Sequence, residues 1–163
     1  MWARLFPKAR LRCDRKLWIR LTDTLRARGD GISESGAFLL GRRDGDRRTI
    51  VDFIPYDDVD PLALRGMIEF DGAAMDAVWS HCDERHLEVV ADIHTHPRGY
   101  GQSSIDRANP MIAERGHIAL IMPHFAKRAF GPGEIGIYEL VGPNQWIDHS
   151  ARGHTFFELK GKP

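Results

Sequence analysis

Apolar residues recur at helical spacing over residues 15–28, where Leu17, Leu21 and Leu25 form a stripe that Trp18 and Ile19 widen on either side. That is the pattern of an amphipathic helix. Residues 29–33 then read as a turn, and 35–40 are apolar up to Gly41, as in a buried strand. Asp44-Gly45, within 42–48, signals a hairpin whose returning strand is 49–54. An acidic, turn-rich stretch follows at 56–61. Residues 67–70 suggest a further strand, and 73–86 a helix burying Ala74, Ala77, Val78 and Trp79. Residues 87–96 read as a strand and 104–115 as helical, with Pro110 expected to kink that helix or to mark a fresh start capped by Asn109. A buried strand at 117–122, a basic and aromatic loop at 123–133 long enough to be mobile, and a strand at 135–141 come next. Residues 145–147 and 155–159 complete the sheet. Strands interleaved with three helices predict an α/β sandwich built on a mixed sheet.

At 163 residues the chain fits one domain, 1–163, with no internal repeat or linker composition. Its zero net charge argues against a general nucleic-acid binder. No run approaches the roughly eighteen apolar residues of a membrane span, and the first residues lack the apolar core of a secretory signal. Cys13 and Cys82 are far apart and suggest no disulfide framework, which fits a cytoplasmic protein. Charge is uneven, however: the first 28 residues hold nine Lys or Arg against two Asp. The basic face of the first helix is either a solvated surface or a docking surface for an acidic partner.

The candidate chemistry lies in residues 91–106, A-D-I-H-T-H-P-R-G-Y-G-Q-S-S-I-D. His94 and His96, two apart at the end of a strand, point to one face. Pro97 ends the strand, Gly99 and Gly101 permit a sharp turn, and 103–106 reads as the first turn of a helix that brings Asp106 back. Two imidazoles and a carboxylate are the donor set of a catalytic zinc site, which keeps a fourth position for water. Asp92 shares the histidines' face, but three ligands spaced two apart along a strand stretch over about 13 Å, too far for one ion. It is therefore an acceptor for a ring N–H or an unrelated polar contact. Cys82 and His86 stand four apart on a helix, but no second pair with ligand spacing follows. Cys82 reads as a small buried group and His86 as a helix C-terminal residue. His117, His124, His149 and His154 lack ligand spacing and read as surface or core histidines.

H-T-H-P followed by S-x-x-D, with a glutamate about sixty residues upstream in E-S-G-A-F-L-L-G, resembles the JAMM/MPN+ (JAB) metallopeptidases, zinc isopeptidases that cleave ubiquitin-like proteins from their conjugates. The family's E-x-x-G-x-L-x-G segment falls on 34–41, with Ala37 where a glycine is usual. The spacer from His96 to Asp106 is one residue shorter than the family's commonest form. The shortening lies in a glycine-containing loop, and Ser103 rather than Ser104 is the serine of the motif.

The resemblance implies a JAMM/MPN-like, cytidine-deaminase-like mixed sheet sandwiched by about three helices, and one catalytic Zn²⁺ on His94, His96 and Asp106. It makes Glu34 the general base and gives Ser103 a share of the oxyanion, although Ser103 also suits the N-cap of the helix that starts at 104. Glu34 on its own segment would be only a solvated residue at a strand entrance. The implied substrate is the C-terminal tail of a ubiquitin-like protein joined to a lysine. Residues 56–65 are then either a partner-touching insertion or a plain surface loop. The compact length is similar to bacterial relatives that occur with ubiquitin-like conjugation genes, some linked to phage defence. Two other readings use the same residues differently: a zinc amidase for a small molecule or sulfur-carrier precursor, and a non-catalytic scaffold.

Overall fold

The computed structural model describes residues 8–65, 70 and 72–163. The described elements are β1 (Leu11–Asp14), α1 (Arg15–Gly29), β2 (Gly36–Asp44), β3 (Arg47–Pro55), α2 (Tyr56–Val59), α3 (Gly72–Arg85) and β4 (Glu88–Thr95). They continue with α4 (Ser104–Ala108), β5 (Ile118–Met122), β6 (Gly136–Gly142), β7 (Gln145–Asp148), α5 (Gly153–Phe156) and β8 (Phe157–Lys160). The strands form one mixed sheet in the order β7-β6-β5-β4-β2-β3-β1-β8. Neighbours are parallel at β4/β5, β3/β1 and β1/β8 and antiparallel elsewhere. The strand expected over 67–70 falls mostly outside the described residues. Among the described residues, no helix is long and apolar enough to cross a membrane.

Alternation along β2 shows how the layers are made. Ala37 and Leu39 join the core under α1, whereas Phe38 and Leu40 join a second core with Tyr56, Val78 and Cys82 under α2 and α3. A sheet covered on both faces explains why this strand is apolar and buried from Gly36 to Gly41, before its exposed end at Arg42, Arg43 and Asp44. Helix α1 starts where the Asp14 carboxylate accepts from the Lys16 and Leu17 amides, at 2.9 and 3.4 Å. Trp18, Leu21 and Leu25 are buried, but Ile19 is 43% exposed. One further step of about 100° carries Ile19 past Trp18 and off the stripe. Helix α3 likewise buries a narrow line, Val78 and Cys82 with Met75 partly covered; Ala77 and Trp79 face outward, contrary to expectation.

Three other expectations are corrected. The helix expected over 104–115 stops at Ala108. Pro110 has no N–H to extend it and disfavours helical backbone at Asn109, which sits at φ −130°, ψ 69°. The stretch 56–61 is not a plain turn, because Tyr56–Val59 is a helical turn and Tyr56 is fully buried. The loop 123–133 is pinned: Ala126 and Phe130 are buried, and the Trp18 indole donates to the Phe130 carbonyl at 2.9 Å. The N-terminal strand β1 was not anticipated, since the four residues Leu11, Arg12, Cys13 and Asp14 are too short a run to carry a strand signal of their own.

The sheet is curled. Five strand spacings separate β6 from β1, about 24 Å in a flat sheet. Yet Arg10, just before β1, makes a bidentate pair with Glu139 of β6 at 2.8 and 3.0 Å, and His149 reaches the same carboxylate at 2.8 Å. The Arg10 hydrogen bonds hold the Glu139 carboxyl down to about 2, below its ordinary 4.5. A carboxyl depressed in the folded state favours folding above its ordinary value and loses that contribution as pH falls toward the folded value. Wild type is therefore expected to lose more stability than Glu139→Gln between pH 4.5 and 2. Urea midpoints across that range check this, and parallel decline would remove the pair from the acid response.

Candidate metal centre

The site is assembled where β2 begins beside the end of β4. Gly36 opposite His94 starts β2, and a side chain there would strike the Tyr56 ring, 2.2 Å from a built Cβ, and the Ile93 carbonyl at 2.7 Å. One residue earlier, the Ser35 amide donates to Thr95 Oγ1 at 2.9 Å and its carbonyl accepts from the Thr95 amide at 2.8 Å. The Ser35 hydroxyl donates to the Leu25 carbonyl of α1 at 2.7 Å. Both side chains are buried. Thr95 lies between the paired histidines and Ser35 lies next to Glu34, so this clamp sets Glu34 beside the histidine strand.

Beyond β4 the chain stays tied to β5. The His96 amide donates to the Met122 carbonyl, the His96 carbonyl accepts from Phe125 and the Arg98 carbonyl from His124. The last two bonds come from a left-handed turn in which His124, Phe125 and Ala126 all have φ of 50–54°. Such backbone costs roughly 1–2 kcal/mol per non-glycine residue, and burial of Ala126 and Phe130 in the α1 core holds it. The return to the site is made by α4. Ser103 Oγ accepts from the Asp106 amide at 3.1 Å while the Ser103 amide donates to Asp106 Oδ2 at 2.7 Å, a reciprocal capping box. The expected N-cap role of Ser103 is thus what the local structure shows.

That box presents Asp106 to the histidines. His94 Nε2 and His96 Nε2 are 3.0 Å apart, and they lie 3.4 and 3.2 Å from Asp106 Oδ1 and Oδ2. Four tetrahedral ligands at zinc bond lengths would stand about 3.3 Å from one another. The 3.0 Å between the ring nitrogens and the 3.2–3.4 Å from each to one of the two Asp106 oxygens are close to that edge. Two ring nitrogens and a carboxylate converging so closely need a shared cation between them, a proton or a metal ion, so the donor set fits zinc. Burial pushes the His94 imidazole down, but the Asp106 carboxylate outweighs it and the net shift is upward. Burial pushes Asp106 up, and its bonds to both imidazoles overcome this and hold it far below the usual carboxylate range. Among the described residues, these three form the one group of His, Cys, Asp and Glu side chains gathered closely enough to hold a metal.

Glu34 is exposed and lines the same cleft of about 460 Å³, together with the histidines, Ser103 and Asp106. Tyr56, Pro97, Ile105 and Met111 supply its apolar walls. All five residues singled out from the sequence therefore share one cleft. Asp92 is committed to partners other than the paired histidines. It accepts from the Tyr56 hydroxyl at 2.8 Å and from His117 Nε2 at 2.5 Å, with all three residues buried. Of the two roles open to Asp92, the structure shows the polar contact apart from the paired histidines, a Tyr56–Asp92–His117 network beneath the site. Neither Tyr56 nor His117 carried a sequence signal, because each meets Asp92 only across the fold.

Comparison with known proteins bears on the fold and the family. The solved structure of a Desulfitobacterium hafniense protein superimposes with a TM-score of 0.67 at 16% identity, covering 93% of this chain and 94% of that chain. A Salinibacter ruber protein gives 0.50 at 18% identity, with 82% of each chain covered. At these identities the likeness concerns the fold alone. Residues 21–122, which include Glu34, His94, His96 and Asp106, match the model of prokaryotic homologs of the JAB domain. That match spans well over half of the sequence, and the chain belongs to this family of prokaryotic JAB homologs.

Proposed function

We propose that this single-domain chain, a cytidine-deaminase-like sandwich in the finer fold reading, is a zinc-dependent cytoplasmic hydrolase of amide bonds. Its substrate would be the C-terminal tail of a ubiquitin-like protein or conjugate. The observation that carries the proposal is the convergence of three metal-donor atoms at ligand spacing on a cleft that Glu34 also lines. His94, His96 and Asp106 would hold the ion, which when bound supplies Lewis acidity, polarising a carbonyl and acidifying water at neutral pH.

The chain's own residues do the rest. Glu34, exposed on the cleft wall, takes a proton from the attacking water and passes it to the leaving nitrogen as the C–N bond breaks. Ser103 accepts from the Asp106 amide, which leaves its hydroxyl proton free to donate to the developing oxyanion. The Ser35–Thr95 clamp and the capping box keep these groups on rigid backbone rather than on a free loop.

A small-molecule amidase is the second reading, favoured by cleft size, since about 460 Å³ lies within the range of small-ligand sites. Purified protein is incubated with a ubiquitin-like fusion and with a small acyl-amide library, each with chelator and with zinc restored. Chelator-sensitive cleavage of the fusion supports the isopeptidase reading, and cleavage of small amides alone supports the amidase. No cleavage of either by zinc-loaded protein would favour the scaffold.

A further inference from the structure

The excess of positive charge in the N-terminal segment has no part in the hydrolase reading. Three of its nine cations, Arg12, Lys16 and Arg20, line a groove of about 670 Å³ between α1, β1, β3 and the edge strand β8. Four cationic side chains line it: Arg12 of β1, Lys16 and Arg20 one helical turn apart on α1, and Lys160 of β8. Arg12 pairs with Glu158 at 3.1 Å. Among the described residues Lys16, Arg20 and Lys160 have no carboxylate within ion-pair distance, while Arg20 lies over the Phe53 ring at 5.7 Å. The one acidic residue of the lining, Asp14, is engaged in capping α1.

Between the cations lie aliphatic side chains, with Thr49 the one neutral hydroxyl-bearing residue of the lining. Leu17 and Ile50 lie at the base and Val51 is 37% exposed. Burial pushes the Cys13 thiol up to about 12, so it belongs to this apolar floor and not to a reactive site. A ligand that complements the groove must carry separated negative charges with aliphatic groups between them. A single phosphate would leave most of the cations unmatched, because they come from three different elements. A nucleic acid would find no aromatic ring in the lining on which to stack a base.

The groove also stands apart from the cleft. Three strand spacings separate β1 from β4, about 14 Å, and α1 covers the sheet face opposite to the one holding Tyr56. An occupant there leaves the cleft open.

We propose that this groove docks an acidic, aliphatic-containing peptide segment of a partner protein. It tethers that partner on the face away from the cleft, which does not require the chain to be a hydrolase.

The test uses a short fluorescent peptide that alternates Asp or Glu with Leu or Val, and the full chain, followed by fluorescence anisotropy. Polyglutamate of equal charge and a single-stranded oligothymidylate serve as competitors. The expected result is saturable, salt-sensitive binding of the mixed peptide. Lys16→Glu with Arg20→Glu weakens it by about tenfold or more. Val51→Asp also weakens it, and chelation of metal leaves it unchanged. Circular dichroism and zinc content of the variants are expected to match wild type, because the three side chains are exposed. Absence of binding, equal binding by the charge-reversed variant, or equal competition by polyglutamate or the oligonucleotide would overturn the proposal. None of these results bears on zinc or on amide cleavage, so the docking and hydrolase readings fail separately.

Discussion

Glu34→Gln is expected to lower amide hydrolysis by about 10²–10⁴-fold while zinc content and thermal midpoint stay at wild-type values. The carboxylate is exposed at the entrance to β2, and no ion pair among the described residues depends on it. The fold therefore has little to lose. Its neighbour does the structural work, since Ser35 carries the bonds to Thr95 and Leu25. Glutamine keeps the shape and the hydrogen-bonding reach but cannot accept and return a proton, so the loss belongs in kcat rather than in metal binding. Single-turnover cleavage of whichever amide substrate is identified, with metal analysis of the same sample, separates the two. Retained activity in the zinc-loaded variant would assign the base elsewhere.

His94→Ala is expected to act in the opposite way, removing the metal and with it all activity. Losing even a group that supports a metal ligand costs about 10–100-fold in affinity, so losing one of three ligands should exceed that. The effect can be read without an assay. Zinc that binds only the folded state raises stability by mass action, about 2.7 kcal/mol at a hundred times the dissociation constant. Wild type should therefore melt higher when zinc is added, and His94→Ala should not respond at the same concentration. Asp106→Ala should also lose the zinc response. It should in addition melt lower without metal, because Asp106 closes the capping box of α4, and such caps are worth about 0.5–2 kcal/mol. Full zinc occupancy in His94→Ala would exclude this nitrogen as a ligand.

The contrast between these variants reflects a division of labour in the cleft. His94 is held by strand pairing, His96 by backbone bonds to Met122 and Phe125, Asp106 by a helical turn, and Glu34 by a clamp to the residue between the histidines. Only Asp106 serves both the local fold and the metal-donor set. Its helix is held to five residues by Pro110, which leaves Asn109 and Met111 to line the cleft instead of continuing a helix.

Much of this was legible from neighbours along the chain. The periodicity of α1, the hairpin at Asp44-Gly45 and the approach of Asp106 all depend on residues a few places apart, where spacing translates directly into direction. The Tyr56–Asp92–His117 network was not legible. Its members are 36 and 25 residues apart, and nothing near His117 distinguishes a partnered histidine from a solvated one. The loop 123–133 misled for a related reason. Its basic and aromatic residues suggest exposure, yet Phe130 is claimed by Trp18, more than a hundred residues away.

The sequence by itself determined the donor set and its local delivery: two imidazoles on one strand face, and a carboxylate returned by a capped turn. These follow from backbone geometry over short spans, which side-chain identity and spacing specify. Only the tertiary structure decided that Glu34 meets them, that Tyr56 and His117 saturate Asp92 below them, and that the curled sheet joins Arg10 to Glu139. Those contacts depend on how the sheet orders and bends its strands, a collective result of packing both faces at once that no single stretch of residues encodes.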